Sequence, residues 1–369
     1  MKKKRIVFID HAKEMGGAEH SLYYLIKYLD YERFIPILIS PTNSELSKKI
    51  INDIKNFKEV KIIHIEQDSI KKLPLFLVDI IKICKIIKGL KIDIVHVNTY
   101  RSAIYGLISA KITRVKSIWH VRDFYKSRMF KTFFYFLSDK VITISKAVEK
   151  QFPHTGKCQT IFNAIDFSVF NFELTSSNLR KELNIDEKTV LIGMIGRLNR
   201  WKGFHHMIEA IPIIKKYIDD FRLIIVGDEI LTGEKGYLNE LHYRVNQLKI
   251  SENVYFLGQR KDIPNIMKSL DVVVNYSKNE PFGRVIIESL AMGTSVVVAN
   301  SGGAPEIIIN SPKCGLIAEC SNPSSLAIAI VNVLQNKTQT DEKYKIMYTK
   351  KNFHISQHVN SVMNIYNEI

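Results

Sequence analysis

Short runs of four to six aliphatic residues, each followed by a longer stretch with helical spacing, recur along the chain, stop at a polar break and then start again. This restart constrains the fold more than any other feature. The first series reads RIVFID, FIPILIS, VKIIHI, DIVHVN, KSIWHV, KVITIS and QTIFNA, with helix-like segments such as AEHSLYYLIKYLD and SAIYGLISAK between its members. The second reads TVLIGMIG, FRLIIVGD, NVYFLG, DVVVNYS and TSVVVAN, separated by FHHMIEAIPIIKKYI and YLNELHYRVNQLKI. A strand that is apolar on both faces needs cover on both, so this alternation predicts parallel sheets between layers of helices. Two series predict two Rossmann-like domains, in keeping with 369 residues, more than a single core usually organises. The polar segment 167–188 is the expected linker. It separates a domain at 1–168 from one at 169–352, and the closing helix within 353–369 is free to pack on either, the first included.

Ligands of open parallel sheets bind beyond the carboxyl ends of the strands, so two facing domains predict a cleft between them. No dinucleotide fingerprint is present: HAKEMGGAEH follows the first strand and GMIGR opens the second series, and neither is GxGxxG. A nicotinamide-dependent dehydrogenase is thereby disfavoured. The most apolar long stretch, LPLFLVDIIKICKIIKGL, is broken by Asp79, Lys82, Lys85 and Lys88, so it predicts no membrane span. Four cysteines without a CxxC pair suit free thiols in a reducing cytoplasm.

Charge is one-sided. Residues 1–170 carry 30 Lys and Arg against 16 Asp and Glu, a net +14, whereas the remainder carries 23 against 21, a net +2. Such a field suits an anionic partner such as a membrane surface, a phosphorylated acceptor or nucleic acid; a lysine-rich solvated surface is the other reading.

Four constellations carry chemistry. In MGGAEH, Met15 to His20, adjacent glycines including Gly17 meet a helix start, where exposed amides attract an anion. In GRLNRWKGF, Arg197 and Lys202 place two cations on one loop at a strand's carboxyl end, a fork and a point charge for phosphate oxygens. In EPFGRVIIE, the turn at Gly283 opens a helix whose first amides, around Gly283, Arg284 and Val285, suit a phosphate. An anion there would repel a free carboxylate, so Glu280 is expected to face neutral hydroxyls. Glu288, one turn beyond Arg284, is placed to accept from a vicinal diol such as ribose; a salt bridge to a nearby Arg or Lys is the alternative. In SIWHVRDFYKSRMFKTFFYFL, His120 ends a strand, placed for proton transfer or substrate contact, and the aromatic and basic mixture after it reads as a membrane-surface helix or as a core helix with a basic face. His354 and His358 are four apart on a helix, but no third metal ligand accompanies them, so a structural role is expected.

Taken together, these motifs resemble the retaining glycosyltransferases of the GT4 kind, which have the GT-B fold of two facing Rossmann-like domains. The likeness runs nearly the whole length: GGAE, WHVRD, TIFNAID, GR…KGF, VGD, NVYFLGQRKDI, EPFGRVIIE, AMGTSVVVANSGGAPEII and CGLIAE. It implies a nucleotide-diphosphate sugar as donor substrate rather than a bound cofactor. Arg197 and Lys202 would sit on its diphosphate, Glu280 on the sugar hydroxyls, Gly283 to Val285 as backbone contacts and Glu288 on ribose. Gly17 would lie near the phosphates, and His120 near the donor sugar and acceptor. No Asp-x-Asp metal signature occurs, so leaving-group charge is expected to be met by Arg197, Lys202 and a helix start, without a metal. The acceptor is expected to be a lipid-linked or polysaccharide glycan, handled by the first domain at the cytoplasmic face of an anionic plasma membrane. A sugar-nucleotide epimerase of the same fold and a basic nucleic-acid-binding protein are the alternatives; Glu280 and Glu288 argue against the latter, because they would repel a polyphosphate chain. Two departures from the family pattern stand out: His20 replaces a common Arg, and VGDEILTGEKGY is longer than the compact turn usual there.

Overall fold

The computed structural model describes residues 2–53, 60–66, 73–153, 155–176, 178–229, 234–336 and 339–369. The chain divides into two compact units, Met1–Ala164 with Ile355–Ile369, and Ile165–His354. The first unit therefore ends a few residues before the expected boundary and takes the closing helix with it.

Among the described residues seven strands build the sheet of the first unit: β1 Lys4–Ile9, β2 Phe34–Ser40, β3 Lys61–His64, β4 Ile94–Val97, β5 Lys116–Val121, β6 Lys140–Thr143 and β7 Cys158–Thr160. Their order is β3-β2-β1-β4-β5-β6-β7, every pairing parallel. Ile6 to Ile9 and Ile94 to Val97 are buried throughout, as a strand covered on both faces must be. The helix Gly17–Lys27 starts with a glycine at its cap, and the Glu19 carboxylate reaches back to accept from the Gly16 amide at 2.8 Å. An acid in the first turn also suits the positive end of the helix. The closing helix, Ile355–Glu368, sends Ile355, Val359, Val362 and Tyr366 into the core of this unit, against Ile6, Phe8, Leu22 and Phe34.

The second sheet has six strands among the described residues: β8 Val190–Ile195, β9 Phe221–Val226, β10 Val254–Phe256, β11 Val272–Asn275, β12 Ser295–Ala299 and β13 Gly315–Ala318. Their order is β10-β9-β8-β11-β12-β13, again wholly parallel. The sequence pattern predicts five of these. The sixth, β13, hides in CGLIAE because four residues with only two bulky aliphatics make no recognisable run. Four residues of the long VGDEILTGEKGY segment, 230–233, lie outside the described residues.

In both sheets the strand order reverses beside the first strand of the series, between β1 and β4 and between β8 and β11. Loops leaving the carboxyl ends at such a reversal diverge to opposite faces and open a crevice. The loops after β1, β8 and β11 lead into the segments that carry Gly17, Arg197 with Lys202, and Glu280 to Glu288, while His120 lies near the carboxyl end of β5.

Candidate active site

In the second unit the loop after β8 tightens into a short turn, Arg200–Lys202, closed by Gly203 in a left-handed conformation. Lys278, just beyond β11, donates its backbone N–H to the Trp201 carbonyl at 2.7 Å, so the two loops at the reversal are tied together. Across this tie the Lys202 ammonium donates to Glu280 Oε2 at 2.6 Å. Both side chains are largely shielded, 20% and 9% exposed, where an ion pair is screened less than at the surface. Glu280 thus carries a cationic partner, and its expected role toward neutral hydroxyls rests on its other oxygen, Oε1. Arg197, on the same loop, is exposed and has no side-chain partner among the described residues.

The backbone of Glu280 is held as firmly as its side chain. Its carbonyl accepts from the Gly303 amide at 2.7 Å, and Glu280 and Gly302 form an isolated bridge. Gly302 has φ +67°, and a Cβ there would stand 2.2 Å from the Glu280 carbonyl oxygen, so only glycine permits the approach. Directly after it, Pro281 and buried Phe282 turn the chain into the helix Arg284–Ala291, whose cap, Gly283 at φ +95°, has no side chain with which to satisfy the first amides. Uncapped amides at a helix start are available to an anion.

Glu288 takes the alternative foreseen for it: Arg284 Nη2 donates to Glu288 Oε1 at 2.9 Å, an i,i+4 pair with both side chains about 15% exposed. A diol on Glu288 would share it with Arg284. Val285 is half-buried in the first turn of the same helix.

In the first unit a buried polar hub lies at the carboxyl ends of β1, β4 and β5. Arg122 donates from Nε to Asn98 Oδ1 at 2.6 Å and from Nη1 to Asn163 Oδ1 at 3.0 Å, and its Nη2 lies 3.3 Å from His120 Nδ1. Asn98 in turn donates to Asp10 Oδ1 at 3.2 Å. Gly17 opens the helix beside this hub; its carbonyl accepts from Ser21 Oγ, which also bonds Asn163. Burial, with Glu19 adding repulsion, raises the Asp10 carboxyl from 3.8 to about 7.

His120 itself is fully buried among His96, Arg122 and His358. Burial, reinforced by the positive field of Arg122, holds its pKa well below 6.5. A ring kept neutral over the physiological range is a hydrogen-bonding group, not a titrating acid. His354 and His358 do not act together. His354 stacks on Phe167 in the second unit, while His358 donates from Nδ1 to the Phe162 carbonyl at 2.7 Å in the first. Among the described residues no cluster of three or more His, Cys, Asp or Glu is placed to hold a metal.

Sequence reasoning missed Asp10, His96, Asn98, Asn163, Gly302 and Tyr366, whose hydroxyl lies 2.7 Å from His96 Nδ1, as parts of these networks. Asp10 and Asn98 had a usable signal, since each is the first polar residue after an aliphatic strand. Tyr366 had none, being one aromatic on a helix far away in sequence.

The second unit thus combines a strand-order reversal, a helix start whose cap has no side chain and a shielded Lys202–Glu280 pair. Residues 15–169 match the family described as Glycosyltransferase Family 4, and residues 175–351 match Glycosyl transferases group 1. The two matches adjoin and take up most of the chain, which belongs to the GT4-type glycosyltransferases. An uncharacterized glycosyltransferase of Methanocaldococcus jannaschii is 32% identical over 210 residues, 54% of this chain and 52% of its own, so the chain spans about half the length of that relative. The UDP-Gal:alpha-D-GlcNAc-diphosphoundecaprenol alpha-1,3-galactosyltransferase of Escherichia coli is 25% identical over 70% of each chain. Among solved structures, Anabaena HepE in complex with UDP-glucose superposes with a TM-score of 0.82 at 25% identity, covering 99% of this chain and all of that one. The fold is GT-B, two parallel sheets flanked by helices.

Proposed function

We propose that this protein is a retaining, metal-independent glycosyltransferase that moves a sugar from a nucleotide-diphosphate donor to a lipid-linked or polysaccharide acceptor in cell-surface glycan synthesis. One observation carries the reading: Lys202 and Glu280 are paired at 2.6 Å, with Glu280 three residues before Gly283, the cap of the Arg284–Ala291 helix, which has no side-chain cap bond. Glu280, the helix start together with Lys202, and Glu288 then follow one another as sugar, diphosphate and ribose contacts along a single nucleotide sugar.

Arg197 and Lys202 neutralise the departing diphosphate, together with the amides at Gly283 to Val285. Glu280 accepts from donor-sugar hydroxyls through Oε1 while Lys202 holds Oε2. Glu288 binds the ribose diol, kept in register by Arg284. The bond from the anomeric carbon to the diphosphate oxygen breaks, and the acceptor oxygen bonds to that carbon on the same face. The acceptor's hydroxyl proton passes to the departing phosphate oxygen. Gly17 and His120 are assigned to the phosphates and the donor sugar on the strength of the family likeness. A uridine donor is supported by the E. coli and Anabaena relatives, and a lipid diphosphate acceptor by the former.

The first unit is assigned to the acceptor and to an anionic membrane surface at the cytoplasmic face. Its helix Arg128–Leu137 leaves Met129, Phe130, Phe133 and Phe136 exposed, and the basic N-terminal half supplies the attraction. No helix among the described residues is long and apolar enough to cross a membrane. The test is incubation of purified protein, with and without chelator, with a panel of nucleotide sugars and lipid-linked acceptors. Release of nucleoside diphosphate coupled to glycan formation is expected, and product analysis reads the anomeric configuration. Interconversion of nucleotide sugars without acceptor would replace this reading with an epimerase.

A further inference from the structure

We propose that Tyr366 and His96 are positioning residues that, together with Arg122, fix His120 as the tautomer carrying its proton on Nε2. The inference rests on the assignment of His120 to the donor sugar only for its catalytic consequence; the proton arrangement stands on geometry alone.

Three contacts form a chain through the buried heart of the first unit. Tyr366 Oη lies 2.7 Å from His96 Nδ1, His96 Nε2 lies 3.3 Å from His120 Nδ1, and Arg122 Nη2 approaches the same His120 Nδ1 at 3.3 Å. A guanidinium can only donate, so the His120 nitrogen that faces it must accept. A neutral imidazole carries one proton, which leaves it on Nε2 of His120. His96 faces the same bare nitrogen with its own Nε2, and two bare nitrogens repel, so the His96 proton also sits on Nε2. His96 Nδ1 is then bare and accepts from the Tyr366 hydroxyl. Reversing any one step sets two protons or two lone pairs against each other.

All four side chains are buried, so water does not scramble this arrangement. Both imidazoles are neutral: burial drives His96 to about 3 and His120 well below 6.5. Rings hold the chain in place, since Tyr366 meets the edges of Phe8 and Phe34 and His120 stacks on His358. The result is directional. His120 Nε2, which is buried and has no hydrogen-bond partner among the described residues, presents a donor, the form suited to a sugar or phosphate oxygen. The closing helix therefore contributes to the site through Tyr366, although it touches the reaction only through two imidazoles.

Long-range proton–nitrogen NMR of histidine-labelled full-length protein tests this directly. The wild type is expected to show His96 and His120 both protonated on Nε2, and Nδ1 protonation of His120 would overturn the proposal whether or not the protein transfers sugar. In Tyr366→Phe, which keeps the ring and loses the donor, the His96 signals are expected to shift toward a mixture of tautomers. Turnover should fall about tenfold, the worth of one hydrogen bond, with the donor KM nearly unchanged and the melting temperature retained. Unaltered histidine signals and unaltered kcat in Tyr366→Phe would equally refute it.

Discussion

Lys202 Nζ stands 2.6 Å from Glu280 Oε2, joining the loop that follows β8 to the loop that follows β11 across the reversal of the second sheet. The pair makes each residue a condition of the other's placement. Lys202→Ala and Glu280→Ala should each lower turnover by about 10²-fold or more, because either change strips charge complementarity from the site. Each should also cost about 1 to 3 kcal/mol of stability by leaving a shielded partner unpaired. The double variant should lose far less than the two losses added, in both activity and denaturant midpoint. Strict additivity in the cycle would show that the two side chains act independently.

Gly302 controls Glu280 from a distance of 22 residues. Gly302→Ala would place a methyl 2.2 Å from the Glu280 carbonyl in a backbone conformation that alanine resists. Activity should fall nearly as far as in Glu280→Ala although no functional side chain has changed. Steady-state kinetics beside thermal melting decide the matter: a fully active variant would mean the bridge is dispensable.

Acidification should weaken the first unit. His96 and His358 are pushed from 6.5 to about 3 and about 4, both chiefly by burial. Their folded pKa values are depressed, so above pH 6.5 the neutral rings fit at no cost. Between pH 6.5 and 4 the unfolded chain takes up protons that the folded unit refuses, and stability falls with pH. His358→Gln keeps an N–H for the Phe162 carbonyl and removes one titrating ring, so its melting temperature should drop less than that of the wild type from pH 7 to pH 5. Equal drops would exclude His358 as a contributor.

Asp10 should act with the opposite sign. Its folded pKa is raised from 3.8 to about 7, first by burial and then by Glu19. Stability from the neutral acid is therefore complete below pH 3.8 and is lost as pH rises through 7. Asp10→Asn keeps the acceptor for Asn98 and cannot ionise. Relative to wild type it should gain stability at pH 8 and keep only a smaller part of that advantage at pH 5, as read from urea midpoints. A pH-independent difference would place the Asp10 titration elsewhere.

Membrane attachment predicts a divided response. Phe133 and Phe136 are 50% and 69% exposed on the Arg128–Leu137 helix. Phe133→Ser with Phe136→Ser should reduce sedimentation with vesicles containing anionic lipid at every salt concentration, whereas the basic surface should account for the salt-sensitive part. Binding to zwitterionic vesicles alone, unchanged by salt or by the double substitution, would dismiss the anionic-surface reading.

Much of this was legible in the residues because the governing effects are local. Doubly apolar strands and helical spacing announce parallel sheets, and glycines before a helix start announce a place for an anion, whatever lies elsewhere in the chain. EPFGRVIIE and GR…KGF name the second unit's candidates for the same reason. Strand β13 escaped notice because four residues carry too little pattern.

Local pattern in the sequence was enough for two Rossmann-like units, for the resemblance to GT4-type glycosyltransferases, and for a list of candidates: Arg197, Lys202, Glu280, Gly283 and Glu288. Only the tertiary structure decided who meets whom. It paired Lys202 with Glu280, gave Glu288 to Arg284, buried His120 where burial removes its charge, and brought Tyr366 back to His96 across 270 residues of chain. Periodicity and turn chemistry act over a few residues and are written in order along the chain. Ion pairs and desolvation depend on distance in space, which the order of residues does not contain until the sheets have closed.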